Sequence, residues 1–106
     1  MAPEVARSEP YGYPADVYSF ALVLWELCTF DMPYAHCKSY DSLKELVRRR
    51  GTHPSLEVIE SPVLRAILKD CWHWNPAARP SMNAVFAGLI TEVGATVAEK
   101  KEHIAI

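Results

Sequence analysis

The chain has 106 residues, of which 50% are hydrophobic, 10% aromatic and 23% charged, with a formal net charge of -2. That length holds one small domain, and the composition excludes a disordered chain, which combines low hydrophobicity with high net charge. A sequence pI near 6.0 excludes a dedicated nucleic-acid binder, whose electrostatic footprint is strongly basic.

Four helices are predicted in chain order, and no segment alternates convincingly enough for a strand, so the fold class is all-α. The first runs from about Pro14 to Thr29, with Pro14 suited to a first helical turn. Val17, Phe20, Ala21, Leu22, Val23, Leu24, Trp25, Leu27 and Cys28 cover nearly all its sides. A helix apolar all round is a buried one, so this helix is expected to be the axis around which the others pack. The apolar run Val17 to Phe30 contains Ser19, Glu26 and Thr29 and falls short of the ~20 residues that a membrane span needs. The second helix spans Ser39 to Arg50 with a narrow stripe of Leu43, Leu46 and Val47, as in a surface helix. Ser42 with Glu45 also fits a capping box, which allows its start to slip by a turn.

The third helix runs from Ser61 to about Trp72, opened by the cap-and-proline pair Ser61-Pro62. Val63, Leu64, Ile67, Leu68, Cys71 and Trp72 share one face, and Arg65, Lys69 and Asp70 the other. The fourth starts at Ser81, which can cap the next turn. Its buried face is expected to hold Met82, Val85, Phe86, Leu89, Ile90 and Val93. Gly94 reads as its end, with a frayed continuation over 95–102 as the alternative.

Charge is uneven. Residues 1–37 balance to -4, residues 38–50 to +3 and the remainder to -1. Arg48-Arg49-Arg50 before Gly51 has the look of a helix end, with cations near the carbonyl end of the dipole and glycine at the left-handed cap. The alternative is a patch for phosphate or an acidic partner, made of Lys38, Lys44, Arg48, Arg49 and Arg50. Cys28, Cys37 and Cys71 show no Cys-x-x-Cys spacing, so neither a disulfide framework nor a zinc knuckle is expected. His36 beside Cys37 is poor geometry for one tetrahedral site, and His73 has no second ligand at metal spacing. No basic-then-apolar leader opens the chain. A cytoplasmic protein without membrane or nucleic-acid partners is the resulting expectation.

Several local combinations follow one another in order. Met1-Ala2-Pro3-Glu4 opens the chain. Asp16-Val17-Tyr18-Ser19-Phe20 leads into Leu24-Trp25-Glu26-Leu27, and Pro33-Tyr34 follows. Cys71-Trp72-His73-Trp74-Asn75-Pro76 and Arg79-Pro80-Ser81 stand far downstream. In this order the set resembles the eukaryotic protein kinases, specifically the C-terminal part of the large lobe. The Cys71-Trp72 and Arg79-Pro80-Ser81 segments are similar to those of tyrosine kinases and tyrosine-kinase-like serine/threonine kinases. The resemblance covers residues 1–93, as a partial kinase domain from Ala-Pro-Glu to the last helix, and leaves 94–106 as a C-terminal tail. Ala21 departs from the pattern where the family often has glycine, and residues 51–60 fit it loosely.

Taken alone, Glu4 and Arg79 read as two surface charges. The resemblance implies that they pair and staple the chain's start to its end. Asp16 reads as an acid at a helix N-terminus; the resemblance adds that it holds a catalytic loop through backbone N–H groups, a loop absent from these residues. Trp25 and Trp72 fall on apolar faces and read as packing residues.

The resemblance also shows what the 106 residues lack. Phosphoryl transfer by a kinase needs a glycine-rich loop, a strand lysine, a His-Arg-Asp aspartate and an Asp-Phe-Gly aspartate. The four glycines are dispersed, the histidines precede Cys37, Pro54, Trp74 and Ile104, and no Asp-Phe-Gly occurs. Hence no catalytic, cofactor-binding or metal residue is expected in the chain, and ATP and Mg are implied only for a complete parent kinase acting on protein Ser/Thr or, second, Tyr. The chain is expected to be a piece of such a kinase, inactive alone, whose partners are the parent's protein substrates or regulators. The alternative is a non-catalytic helical interaction module or pseudokinase remnant. Leaving Phe20, Leu24 and Leu27 uncovered would forfeit on the order of 10 kcal/mol of apolar burial, against a usual domain stability of about 5–15 kcal/mol. A soft isolated chain is therefore expected.

Overall fold

The computed structural model describes residues 1–35, 37, 39–50 and 52–104, with the backbone alone at 50 and 95–104. The described residues form five α-helices and one 3₁₀ turn, with no strand. Helix α1 is a single turn, Pro3–Ala6, with proline in its first turn. Four residues carry no hydrophobic period, so the pattern of the sequence does not announce it.

Helix α2, Tyr13–Thr29, starts with Pro14 in its first turn. It stops at Phe30, which turns left-handed (φ 57) while its N–H donates to the Glu26 carbonyl. Helix α3, Tyr40–Arg50, is capped by Ser39, whose hydroxyl accepts from the Ser42 N–H at 3.2 Å. The alternative start at Ser42 is not used: Glu45 turns instead to Arg48 and Arg49.

Helix α4, Pro62–Cys71, has Ser61 as its N-cap. The Ser61 hydroxyl accepts from the Leu64 N–H and donates to Glu92 Oε1 at 2.8 Å. One side chain thus closes the start of α4 and ties it to the last helix. Ser61→Ala is expected to destabilise the fold by about 1–2 kcal/mol, as loss of a serine cap does, read as a lower urea midpoint at unchanged slope.

Asn75 opens the 3₁₀ turn Pro76–Ala78, its side chain accepting from the Ala77 N–H. Helix α5, Met82–Ile104, is entered through Ser81, whose hydroxyl accepts from the Ala84 N–H at 3.1 Å. Gly94 does not end α5. Glycine inside a helix costs about 1 kcal/mol relative to alanine, and the helix formers on both sides outweigh that.

Helix α4 lies between α2 and α5, while α3 packs on α1 and the 3₁₀ turn on α2. Gly88 of α5 faces Ile67 of α4, where an added Cβ would stand 3.1 Å from Ile67 Cδ1; the close approach of the two helices uses the missing side chain. The core centres on Val17, Tyr18, Ala21, Leu68, Cys71 and Trp72. Ala21, where the resemblance points to glycine, is fully buried.

The expectation that α2 is buried on all sides requires correction. Ala15, Val17, Tyr18, Ala21 and Trp25 are buried, but Leu27 is 65% exposed and Val23 lies open beside it. The fourth predicted helix is corrected likewise: Val85 is buried and Leu89 partly so, but Met82, Phe86 (64% exposed), Ile90 and Val93 face outward. On α4, Val63 is also exposed. The reason is shape. The radius of gyration is 15.6 Å with extents of 54 × 29 × 15 Å, whereas a compact chain of this length has about 13 Å. The molecule is drawn out along one axis: Tyr18, Ala21, Leu68 and Cys71 are fully covered between the helices, while the outer sides of α2 and α5 are left open among the described residues.

Candidate functional site

The most connected polar centre joins the two ends of the described sequence. Pro80 biases the residue before it toward extended backbone, and Arg79 is extended (φ -75, ψ 146) as it leaves the 3₁₀ turn. Its side chain therefore reaches back toward α1. Arg79 Nη1 donates to Glu4 Oε2 at 2.7 Å and Nη2 to Glu4 Oε1 at 2.9 Å. Nη1 also donates to the Pro14 carbonyl at 3.0 Å, and Nε to the His73 carbonyl at 2.8 Å. The guanidinium carbon lies 4.9 Å from the Tyr18 ring centroid.

Glu4 is 3% and Arg79 8% exposed, so the pair is shielded from water. Burial pushes the Glu4 carboxyl up, but the hydrogen bonds from Arg79, with its charge, outweigh this and hold it below its ordinary value. The fork of Arg79 suits the two carboxylate oxygens geometrically. The structure thus brings Glu4 and Arg79 together across 75 positions. The carbonyl acceptors at Pro14 and His73 and the Tyr18 ring were not signalled by the sequence, because backbone acceptors carry no residue-type signature.

Tyr18 extends this centre inward. Burial pushes its hydroxyl up to about 12, and that hydroxyl donates to the Thr52 carbonyl at 3.4 Å, beside Tyr34, whose hydroxyl donates to the same oxygen at 3.1 Å. Trp72 Nε1 donates to the Tyr18 carbonyl at 3.3 Å, and the Trp72 ring stacks on His53 with centroids 4.9 Å apart. Trp25 is buried and its Nε1 donates to the Ser55 carbonyl at 2.8 Å. Both indoles bridge helices to the 52–60 segment, which is otherwise without regular structure. Burial likewise pushes the Cys71 thiol up to about 11, which makes it a packing group rather than a nucleophile.

Asp16 stands apart from this centre. It is exposed in the first turn of α2, where its charge complements the helix dipole. No hydrogen bond or ion pair engages it among the described residues.

The basic stretch lies on α3. Lys44 is half-buried, and Arg48 and Arg49 are exposed. Glu45 pairs with both arginines. Lys38 and the side chain of Arg50 lie outside the described residues. Arg7 at the end of α1 faces this stretch across a cleft of about 420 Å³ lined by Ala6, Arg7, Ser8, Asp41, Lys44, Glu45 and Arg48. Arg7 also pairs with Glu9 and lies 4.4 Å over the Trp74 ring, a contact the sequence pattern did not signal. Among the described residues no group of three or more His, Cys, Asp or Glu side chains could hold a metal ion, and no helix is long and apolar enough to cross a membrane.

A family model of protein tyrosine and serine/threonine kinases matches residues 1–89. The chain belongs to the protein kinase family. It is 40% identical over 85 residues to the dual specificity protein kinase shkD of Dictyostelium discoideum, covering 80% of this chain and 11% of that protein. It is 37% identical over 106 residues to the serine/threonine-protein kinase STY17 of Arabidopsis thaliana, covering 97% of this chain and 18% of that protein. With the serine/threonine/tyrosine-protein kinase HT1 of the same plant it shares 36% over 89 residues, or 84% of this chain and 23% of that protein. The chain therefore spans less than a quarter of the length of these relatives. The all-helical architecture fits the helical part of a kinase large lobe.

Proposed function

We propose that this kinase-family chain forms the C-terminal helical part of a large lobe and serves phosphoryl transfer from ATP to protein Ser/Thr side chains only within a complete catalytic domain. The observation that carries this reading is the uncovered apolar surface: Val23 and Leu27 on α2, and Phe86, Ile90 and Val93 on α5. Exposed apolar side chains repeated along two helices suit faces that pack against something else, and the remaining helices of a kinase lobe are their natural cover. The 106 residues contain no glycine-rich loop to enclose phosphates. No step of the transfer is therefore assigned to this chain's side chains. Their part is to hold the Ala2-Pro3-Glu4 segment through Arg79 and to present the α3 face to protein partners, in the cytoplasm.

The test uses a chimera in which this chain replaces its aligned stretch of STY17. The isolated 106 residues with ATP, Mg and a generic protein substrate are expected to yield no phosphoprotein, and the chimera is expected to phosphorylate serine or threonine. A folded but inactive chimera, or transfer by the isolated chain, would overturn the reading. A second reading, docking of acidic protein segments, is favoured by the cations on α3 and would appear as binding that weakens with salt.

A further inference from the structure

The cleft between α1 and α3 has a feature that the kinase-family reading does not use. Ser8, at the end of α1, adopts the left-handed conformation (φ 59) that glycine takes most readily at a helix C-terminus. Residues 8–12 are exposed and belong to no helix or strand. Such a segment can be drawn into another enzyme's active site in extended form. The Ser8 side of the cleft carries Arg7, and the α3 side carries Lys44 and Arg48.

Lys44 has no ion-pair partner among the described residues, and the two arginines form only local ion pairs. Arg7 Nε is buried without a well-directed hydrogen-bond acceptor, although Glu9 Oε1 lies 2.9 Å away, and Nη2 donates to Glu9 Oε2 at 3.3 Å. Arg48 meets Glu45 only at 3.5 Å. Exposed pairs of this kind hold weakly, so a stronger anion can redirect both arginines. The acids facing the same space are Asp41 and Glu45, and Glu45 is already engaged by Arg48 and Arg49.

We propose that Ser8 is a phosphorylation site whose phosphate is held in this cleft by Arg7, Lys44 and Arg48, clamping α1 onto α3. A protein kinase acting in trans transfers the γ-phosphoryl of ATP. The Ser8 Oγ–P bond forms, the P–O bond to ADP breaks, and the hydroxyl proton leaves through that kinase's general base. The product carries about two negative charges and three acceptor oxygens near neutral pH. A cleft of about 420 Å³ has room for the group, and its tether to Ser8 spares the entropy of bringing in a separate anion. The consequence is local: α1 holds Glu4, so a clamp on α1 also steadies the partner of Arg79.

The test is a ³¹P NMR titration of the full 106-residue chain with phosphoserine incorporated at position 8 during synthesis, with helical circular dichroism followed in parallel. Cations in contact with the phosphate are expected to lower its second pKa by about one unit relative to the same chain in urea. The double variant Lys44→Ala/Arg48→Ala is expected to abolish at least half of that shift, and Arg65→Ala, at an exposed position on α4 that does not line the cleft, to leave it unchanged. A second pKa equal to that in urea, a shift that survives the double variant, or loss of helical signal on phosphorylation would each overturn the proposal.

Discussion

Arg79→Ala is expected to lower the unfolding free energy by about 3–5 kcal/mol, the cost of leaving one member of a buried ion pair without its partner. The geometry places the effect at the upper end of that range. The substitution strands the Glu4 carboxylate in a site that is nearly dry, and it removes the donors to the Pro14 and His73 carbonyls. Glu4→Ala is expected to cost less, because Arg79 keeps those two acceptors and the face of Tyr18. A domain of this size has about 5–15 kcal/mol in total, so the single change is enough to make the fold marginal. The measurement is a double-mutant cycle by urea denaturation. The double variant is expected to cost well under the sum of the singles, since neither then leaves a stranded charge. Additive costs would show that the pair does not act as a staple. Arg79→Lys keeps the charge but loses the two-pronged contact and is expected to fall between wild type and Arg79→Ala.

The same pair sets an acid limit. Glu4 has a folded-state pKa below its ordinary value. Its contribution is therefore fully present above the unfolded-state value near 4.5 and is lost as pH falls through the folded value. In Arg79→Ala the hydrogen bonds and charge of Arg79 are gone, so burial is opposed only by Glu4's own backbone N–H and the charge of Arg7, and the carboxyl rises relative to wild type. The acid-side loss is then reduced: the variant is expected to lose less stability than wild type between neutral pH and the pH of carboxylate protonation.

The pairing of Glu4 with Arg79 was legible only through the order of local motifs, because nothing in periodicity links positions 75 apart. Helix starts were legible for a local reason. Ser39, Ser61 and Ser81 each place an oxygen before a helix whose first N–H groups need an acceptor, and each caps in the structure. Which apolar faces are covered was not legible. The spacing of Met82, Phe86, Ile90 and Val93 marks one side of α5, but periodicity records only that a side is apolar, not that a neighbour reaches it. Among the described residues no neighbour reaches that side of α5, and the same holds for Val23 and Leu27 of α2. The Arg7–Trp74 contact, the acceptors at Pro14 and His73 and the turn of α1 depend on tertiary approach or on backbone groups, which the residue string does not encode.

Trp72→Ala is the second change expected to have a large effect, about 3–5 kcal/mol for truncating a buried tryptophan. Trp72 is buried where three elements meet: the end of α4, the Tyr18 turn of α2 and the 52–60 segment through His53. Removing the indole opens a cavity that the helices cannot close without parting from one another, and it frees His53 and the segment around it. The lost hydrogen bond is the smaller part, because the Tyr18 carbonyl lies inside α2 and keeps its helical partner. Trp72→Phe isolates that part: it retains most of the packing and is expected to cost about 1–2 kcal/mol. Trp74→Ala supplies the contrast, since its ring is half-exposed beneath Arg7, and a surface cation–π contact contributes about 0.5–1 kcal/mol. Urea midpoints in the order Trp74→Ala, Trp72→Phe, Trp72→Ala, from highest to lowest, would locate the centre of the fold at the junction of α2, α4 and the 52–60 segment. Equal effects from Trp74 and Trp72 would instead mean that the chain in solution does not hold this packing, and that the covering surface proposed for α2 and α5 is needed before the core can form.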